Sequence, residues 1–405
     1  MSFVSTASFS SDAPTAGLPQ ALNLDWRDAL RLSLTPSVGL LAQKALLDAF
    51  GAADQVFAQS DEALREVVSV AQAQALQTLP PDFEQACARI LDWLAQAREP
   101  IAREVWHWGH PRYPTALTLL DDPPCVLFAQ GQLHKPCLNG VAVVGSRNPT
   151  PQGKENARRF AQVLQGWGCC IVSGLAMGID AAAHEGALAH AAHNGCPTVA
   201  VVGTGLDRVY PRQHHRLAHE VAAQGWLLSE LLPGTAPLPH HFPMRNRLIA
   251  GLSQGVLVVE AALASGSLIT AELALSQGKE VFAIPGSIHS MLSRGCHALL
   301  KQGAKLVESA HDVWEELPSA IGAPPHSAPA HSAPLHGEPE QTLPARSWQG
   351  LEQQVFTALQ NTPLNLEALL LQLGASLEAV LLALQSLEDA GHVQAMPGGL
   401  YQSVV

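Results

Sequence analysis

The sequence predicts an α/β protein built around a doubly wound parallel sheet of extended Rossmann type. Between residues 141 and 317, six short β-branched runs alternate with helical patterns: VAVVG (141–145), CIVSG (170–174), TVAVVG (198–203), WLLSE (226–230), VLVVE (256–260) and EVFAIPG (280–286). Such alternation is typical of βαβ units. Because the runs are apolar on both faces, we expect each strand to be buried between two helical layers.

Two smaller domains are predicted on either side of this sheet. We assign residues 21–110 to a helical domain, because apolar residues recur at helical spacing through DALRLSLTPSVGLLAQKALLDAF, which ends at Gly51. Residues 111–317 then form the Rossmann-like domain. Residues 350–405 give three helical patterns followed by HVQAMPGGLYQSV, a predicted hairpin turning at 397–399, and this order indicates a winged helix.

The remaining segments are a predicted flexible N-terminus, residues 1–20, and a predicted linker, residues 318–349. Residues 1–20 lack the basic start and apolar run of a signal peptide, and no later run approaches the roughly 18 apolar residues of a membrane-spanning helix. Residues 318–349 are rich in Pro, Ala and His without apolar periodicity, which favours a semi-rigid linker. Its histidines are metal-binding candidates, but their irregular spacing favours a solvated linker instead.

Charge and cysteine content limit the classes of function. The chain carries a formal net charge of -12, yet residues 141–317 hold 13 Lys and Arg against 13 Asp and Glu, so all the acidity lies outside the sheet domain. The seven cysteines include no Cys-x-x-Cys pair, which argues against a disulfide framework or a zinc site. We therefore expect a cytoplasmic protein without metal or other cofactor.

A glycine turn follows the first strand of the sheet. In GSRNPTPQG, Gly145 allows close backbone approach, Ser146 follows it, and a helix starts near Pro151. A turn of this kind is an anion site, and Arg147 adds a planar charge suited to phosphate. The G-x-G-x-x-G spacing of dinucleotide-binding proteins is absent, so NAD is not expected. A helix-capping turn with an exposed arginine is an equally good interpretation of this motif alone.

Further glycine turns follow the second and third strands. Ser173 and Gly174 open the segment SGLAMGIDAAAHEGAL, in which Asp180 and His184 share one helix face. A catalytic pair is possible there, but no serine or cysteine is coupled to it, so a structural hydrogen-bonded pair is favoured. The third strand ends in GTGLDRVYP. Three such turns line one edge of the sheet with backbone N–H groups.

The segment FPMRNRLIA (242–250) is predicted to reach the same edge. Arg245, Asn246 and Arg247 precede an apolar helix whose N-terminal dipole favours an anion, and Phe242 offers a flat face for base stacking. Salt bridges from the two arginines to Glu230 or Glu260 are an alternative of about equal weight.

Taken together, the motifs GSR, SGxAxGID…AH, GTGxDxxYP, FPxRNRxIAGLS, LVVEA…SGSLxTA and FAIPG…G resemble, in order and interval, the DprA/Smf family of DNA-processing proteins. The resemblance covers residues 141–305 densely. The helical domain, similar to SAM or helix-hairpin-helix domains, and the winged helix fit the family arrangement as well.

The resemblance implies a non-enzymatic, cytoplasmic, dimeric protein that binds single-stranded DNA, protects incoming DNA and loads the RecA recombinase in natural transformation and homologous recombination. Other single-strand-binding or competence proteins are further expected partners. Family binding residues map onto Ser146, Arg147, Phe242, Arg245 and Arg247. From the turns and the arginine segment themselves we add Gly145, Ser173, Gly174 and Asn246 to the predicted DNA-binding residues.

One departure from the family pattern concerns the residues before Phe242. Family members often carry a lysine there, whereas this chain has Pro239, His240 and His241. The departure implies weaker binding, or binding that depends on pH through the histidines.

A competing hypothesis is a Rossmann-type nucleotide-binding enzyme such as a nucleotide phosphoribohydrolase, which also holds phosphate with glycine turns. Its PGGxGTxxE signature is absent, and the nearest segment, EAALASGSLITAE, lacks the consecutive glycines. A purely protein-binding scaffold is harder to reconcile with two arginine-bearing anion sites.

Overall fold

The computed structural model describes residues 25–189, 195–317, 350–360, 363–390, 392–396 and 399–403. The predicted flexible N-terminus, the linker 318–349 and the turn residues Pro397 and Gly398 lie outside the described residues.

Within the described chain, nine strands form one mixed sheet. They are β1 (Ala102–His107), β2 (Val126–Gly131), β3 (Gly140–Val144), β4 (Cys170–Ser173), β5 (Thr198–Val201), β6 (Trp226–Ser229), β7 (Gly255–Val258), β8 (Glu280–Ala283) and β9 (Lys305–Leu306). The order across the sheet is β1-β2-β6-β5-β4-β3-β7-β8-β9. Pairing is parallel from β6 to β9 and antiparallel at β1–β2 and β2–β6. The predicted Rossmann-type α/β class and all six predicted strands are confirmed.

Helices precede, cover and connect these strands. Before the sheet come α1 (Trp26–Leu34), α2 (Leu40–Phe50), α3 (Ala53–Phe57), α4 (Asp61–Arg65), α5 (Val70–Leu76) and α6 (Phe83–Ala95). Within the sheet domain lie α7 (Thr115–Thr118), α8 (Pro151–Gly166), α9 (Ile179–Ala189), α10 (His215–Gln224), α11 (His241–Gly251), α12 (Gly266–Ser276), α13 (Arg294–Lys301) and α14 (Ala310–Glu316). Helix α8 starts where the sequence predicts, because Pro151 fits the first helical position and the Thr150 hydroxyl caps the N–H of Gly153.

Both faces of the central strands are buried. Val141 and Val143 of β3 pack with Phe160 of α8 in one layer, and Ala142 and Val144 face the opposite layer. The two layers explain why this strand is apolar at every position rather than alternating.

The helical N-terminal region packs directly on the sheet. One continuous core joins Trp26, Ile90 and Trp93 with Phe128 of β2 and Leu227 of β6. Strand β1 moreover lies inside the segment that the sequence assigned to the helical domain. The sheet therefore begins at Ala102, eight residues before the predicted boundary at 110, and the two regions share apolar surface.

The C-terminal region forms the predicted winged helix. It comprises α15 (Leu351–Leu359), β10 (Leu364–Asn365), α16 (Leu366–Leu373), α17 (Leu377–Asp389), β11 (Val393–Met396) and β12 (Leu400–Ser403). Its strands pair in the order β10-β12-β11 around a core of its own that includes Val355, Leu369 and Leu387. Asn365 and Ser376 cap α16 and α17.

Among the described residues, no single helix is long and apolar enough to cross a membrane. The pair Leu366–Leu373 and Leu377–Glu388 reaches the required length and composition only together, with a bend of 114° between the two helices. All seven cysteines are free thiols.

Candidate functional site

A cavity of about 610 Å³ opens between the carboxyl ends of β3 and β7. Connections on the two sides of this strand pair run in opposite directions across the sheet, so their loops diverge and leave a crevice. The cavity is lined by residues of the loop after β3, of α11 and of the turn that opens α12. Those used below are Gly145, Ser146, Arg147, Asp180, Tyr210, Phe242, Arg245 and Asn246.

The turn after β3 is anchored to β7 through Glu260. The Glu260 carboxylate accepts hydrogen bonds from the backbone N–H of Thr150 at 2.9 Å and from its hydroxyl at 2.6 Å, and the Glu260 carbonyl accepts from the N–H of Ser146 at 2.7 Å. A Cβ on Gly145 would lie 2.7 Å from the Ile179 side chain, so only glycine fits there. Arg147 follows at the exposed tip of this fixed turn.

Ser173, the last residue of β4, is not placed to bind DNA as the sequence predicts. This side chain is fully buried, and its hydroxyl donates to the Val143 carbonyl at 2.7 Å. Ser173 therefore ties β4 to β3 and is not open to a ligand. Gly174 is buried as well, and it leaves the space that the Arg245 guanidinium occupies.

Asp180 and His184 do not bond to each other as a pair. The Asp180 carboxylate accepts from the N–H groups of Gly174 at 3.1 Å and Ala176 at 3.4 Å, which fixes the turn after β4. His184 Nδ1 lies 2.7 Å from the hydroxyl of Thr198. Because that hydroxyl donates to the Ile171 carbonyl, Nδ1 is the donor and Nε2 is left as an unpartnered acceptor. Burial and nearby Arg245 lower the pKa of His184 to about 3.

The two arginines of FPMRNR lie within α11, not before it. Residues two apart on a helix point to nearly opposite sides, so Arg245 faces the cavity and Arg247 faces away from it. The sequence placed both on the same ligand surface because it put the helix start too late.

Arg245 carries a buried guanidinium. The residue is 5% exposed, and its Nε and Nη1 have no hydrogen-bond partner among the described residues. Burial lowers the pKa of Arg245 to about 10, although Asp180 acts in the opposite direction. An arginine stays protonated at neutral pH even so, and it retains unsatisfied donors beside an open cavity.

Arg247 instead makes the salt bridges that the sequence offered as the alternative. Its Nε lies 3.1 Å from Asp122, and its Nη2 contacts the Glu230 carboxylate. The Arg247 side chain is 7% exposed, and the structure does not bring it into the cavity. Glu260, the other suggested partner, bonds to Thr150 as described above.

Aromatic rings and Arg147 form the mouth of the cavity. The Arg147 Cζ lies 5.5 Å from the centroid of the Phe242 ring, and the Tyr210 and Phe242 ring centroids are also 5.5 Å apart. Gly203, in the third glycine turn, lets the ring approach, since its Cβ would lie 3.1 Å from Phe242 Cδ1. Asn246 donates to the carbonyl of Gly266 at 3.2 Å. Tyr210 also lines the cavity, and the sequence did not predict this role. The only signal was the YP dipeptide at the end of the GTGLDRVYP turn.

The histidines in place of the family lysine lie at the start of α11. The His240 and His241 ring centroids are 4.4 Å apart, with His240 exposed and His241 buried. Neither lines the cavity. In the described part of the chain, no group of three His, Cys, Asp or Glu side chains is arranged to hold a metal ion.

This sheet, with a crevice lined by arginine and aromatic side chains, defines a Rossmann-type protein with a candidate anion site at the carboxyl ends of its strands. The chain belongs to the DprA/Smf family: the family described as DNA recombination-mediator protein A matches residues 104–318, and the DprA winged helix domain matches residues 339–399.

Relatives of known name span much of the chain. The DNA processing protein DprA of Streptococcus pneumoniae (strain ATCC BAA-255 / R6) is 50% identical over 204 residues, which cover 50% of this chain and 71% of that protein. Protein Smf of Escherichia coli (strain K12) is 43% identical over 288 residues, 71% of this chain and 74% of that protein. The X-ray structure of DprA from Streptococcus pneumoniae superposes with a TM-score of 0.59 at 37% identity and covers 72% of this chain and 96% of that one.

Proposed function

We propose that the cavity between β3 and β7 binds single-stranded DNA. Arg147 and Arg245 bind phosphate oxygens, and the rings of Phe242 and Tyr210 stack on bases. The observation that carries the proposal is Arg245: a buried cation without a salt-bridge partner among the described residues lines an open cavity, and an anionic ligand there supplies the missing counter-charge.

The geometry favours a single strand over a duplex. Arg245 lies inside the cavity and is only 5% exposed, so a phosphate must enter to reach it. A flexible strand can bend a phosphate inward and turn its bases onto the Phe242 ring, whereas the bases of a duplex are already stacked on each other. Ser146 and Gly145 support the binding turn, and Arg247 stabilises α11 from behind.

The wider role follows from membership of the family and the names of its relatives. We propose that the protein acts in DNA processing as a binding protein and not as an enzyme. Protection of incoming DNA, loading of RecA, dimerisation and a cytoplasmic location belong to this proposal. Incubation with nucleoside monophosphates tests the enzymatic alternative, because a phosphoribohydrolase releases free base.

The decisive experiment compares fluorescently labelled single-stranded and duplex oligonucleotides by anisotropy, with wild type and Arg245→Ala. We expect the wild type to prefer the single strand and the variant to bind it roughly tenfold more weakly, as loss of a charge-assisted contact predicts. Equal binding of both DNA forms, or a folded Arg245→Ala protein that binds like wild type, would refute the proposed site.

A further inference from the structure

A second cavity of about 630 Å³ shares Tyr210 with the first and extends along α10 to Leu227 of β6. Its floor is apolar and is formed by Ala218 and Ala222 of α10 together with Leu227 of β6. Its polar walls come from three separate parts of the chain. The side chains that form these walls are Gln96, Arg103, Gln130, Arg208, Arg212, His215 and His219. We call this cavity the α10 groove.

The α10 groove carries more positive than negative charge. Arg103, Arg208 and Arg212 line it against one carboxylate, that of Asp207. Asp207 contacts Arg208 at 3.2 Å and also accepts the backbone N–H of Gly234 at 2.6 Å. Arg212 is exposed, and no carboxylate of the described residues lies within salt-bridge distance of it.

The other walls add polar groups suited to a nucleic acid. Arg103 is held in place because its Nη1 donates to the Trp93 carbonyl at 2.6 Å and its Cζ lies 5.3 Å from the Trp93 ring centroid. His215 and His219, one turn apart on α10, contact each other with ring centroids 4.5 Å apart and ring planes tilted by 52°. Gln130 contributes a buried Oε1 without a hydrogen-bond partner.

Tyr210 connects the two cavities. It lines both, and its ring contacts Phe242 in the DNA-binding cavity. The turn after β4 also serves both, with Leu175 lining the α10 groove and Ala176 lining the first cavity. His214 Nδ1, 2.9 Å from the Leu175 carbonyl, ties this turn to the start of α10. The two cavities therefore share Tyr210 and the turn after β4 as common walls.

We propose that the α10 groove is a second binding segment for the phosphodiester backbone of the same single strand. Arg208 and Arg212 contact its phosphates, and the strand passes over Tyr210. This inference rests on the proposed function of the first cavity. It assigns a phosphate contact to Arg208, in the loop of the third glycine turn, and to Arg212, just before α10. The sequence predicted an anion contact there only from the backbone N–H groups of the GTGLDRVYP turn, not from these two side chains.

Oligonucleotide length separates the two cavities. We expect wild type to bind an oligothymidylate of about 15 nucleotides more tightly than one of about 6, both within the range of known single-strand site sizes. The Arg208→Ala/Arg212→Ala double variant should bind the short oligonucleotide within about twofold of wild type but lose roughly tenfold on the long one. The Arg212→Glu variant tests the same contact by charge reversal and should also lose affinity for the long oligonucleotide only.

The matched control is Arg216→Ala in α10, one turn of chain beyond Arg212. Arg216 has 89% of its side chain exposed, lies 3.6 Å from Glu220 and does not line the groove, so we expect unchanged binding at both lengths. Double-variant and Arg212→Glu proteins that are folded, as judged by Tm, and that bind the long oligonucleotide like wild type would overturn the inference while leaving the first cavity intact. A wild type that binds neither oligonucleotide overturns the proposed function itself.

Discussion

Gly174 leaves the space that the Arg245 guanidinium occupies. A Cβ on residue 174 would overlap Nη1 and crowd Cζ and Nη2 of Arg245. The φ angle of Gly174 is not positive, so this position requires a small residue rather than unusual backbone freedom. The turn after β4 therefore fixes the position of the cation that we propose binds phosphate.

Gly174→Ala should accordingly displace Arg245. We expect overpacking to lower the free energy of unfolding by about 2 kcal/mol and single-strand affinity to fall at least about tenfold. Denaturant titration and anisotropy measure the two effects. Gly166→Ala is the control, because a Cβ there meets nothing within 4 Å. Unchanged affinity in Gly174→Ala would mean that the position of Arg245 does not matter to the ligand.

Arg147→Ala and Arg247→Ala should have opposite consequences. Arg147 is exposed, so its loss should weaken DNA binding strongly with little change in Tm.

Removal of Arg247 leaves Glu230 and Asp122 without their cation, which should lower the free energy of unfolding by about 3 kcal/mol. Binding by the folded fraction of Arg247→Ala should be close to wild type. A stable Arg247→Ala protein with lost binding would instead place Arg247 at the DNA.

The salt dependence of oligonucleotide binding should increase with the number of phosphates that the protein contacts. With Arg147 and Arg245 alone, a short oligonucleotide should give a slope of log K against log[salt] of about -1.4, and with Arg208 and Arg212 added a longer one should give about -2.8. Binding titrations at several salt concentrations measure both slopes. Equal slopes at the two lengths would count against the α10 groove.

The buried His184 should make the fold sensitive to mild acid. Its pKa of about 3 lies below the ordinary value of 6.5, so as the pH falls below 6.5 the unfolded chain binds a proton that the folded chain excludes. Stability is therefore lost progressively toward pH 3, by about 2 kcal/mol at about pH 5.

His184→Gln is the test of this dependence, because glutamine does not titrate. Whatever its absolute stability, the variant should lose less stability than wild type between pH 6.5 and about pH 5. Chemical denaturation at each pH gives the two profiles. The burial-raised pKa values of Glu230 and Glu260 act in both proteins and cancel in the difference. Parallel profiles would show that His184 is protonated in the folded state or does not affect acid stability.

Truncation after Leu317 should leave single-strand affinity within about twofold of wild type. Residues 350–405 contain no Lys or Arg but five carboxylates, so this winged helix has no side chain with which to displace counterions from DNA. Leu371 and Leu382 are 89% and 62% exposed there, which suits a protein partner. We predict that RecA loading, assayed separately, falls in the truncated chain. A large loss of affinity in a folded truncate would contradict this division of roles.

The sequence predicts the central sheet well because its strands are short, apolar and separated by regular helices. It misses β1 and β2, whose antiparallel pairing with each other and with β6 depends on contacts between distant segments. The helical N-terminal region looked separate for the same reason: the apolar face of α1 and α6 gives no sign that its partner is the sheet.

The site is predicted in part. Motif order correctly brings Arg147, Phe242 and Arg245 to one cavity, since all follow from the carboxyl ends of parallel strands. The different roles of Arg245 and Arg247 depend on where α11 begins, and a shift of a few residues in a helix start changes which face a side chain occupies. Side-chain pairing such as Glu260 with Thr150 is set by neighbouring strands and cannot be read from local sequence.

The hydrogen bonds that Thr150 donates to the Glu260 carboxylate order the turn carrying Arg147 before any ligand binds. In the proposed complex with single-stranded DNA, most of the conformational entropy lost on binding then belongs to the nucleic acid. Thymine-rich strands are weakly self-stacked and can follow the protein surface readily, whereas an adenine-rich strand must first break its own helical stack. The affinity for a strand would therefore depend on its base composition even though the protein does not recognise the edges of the bases. Strands that stack weakly on themselves would be bound first.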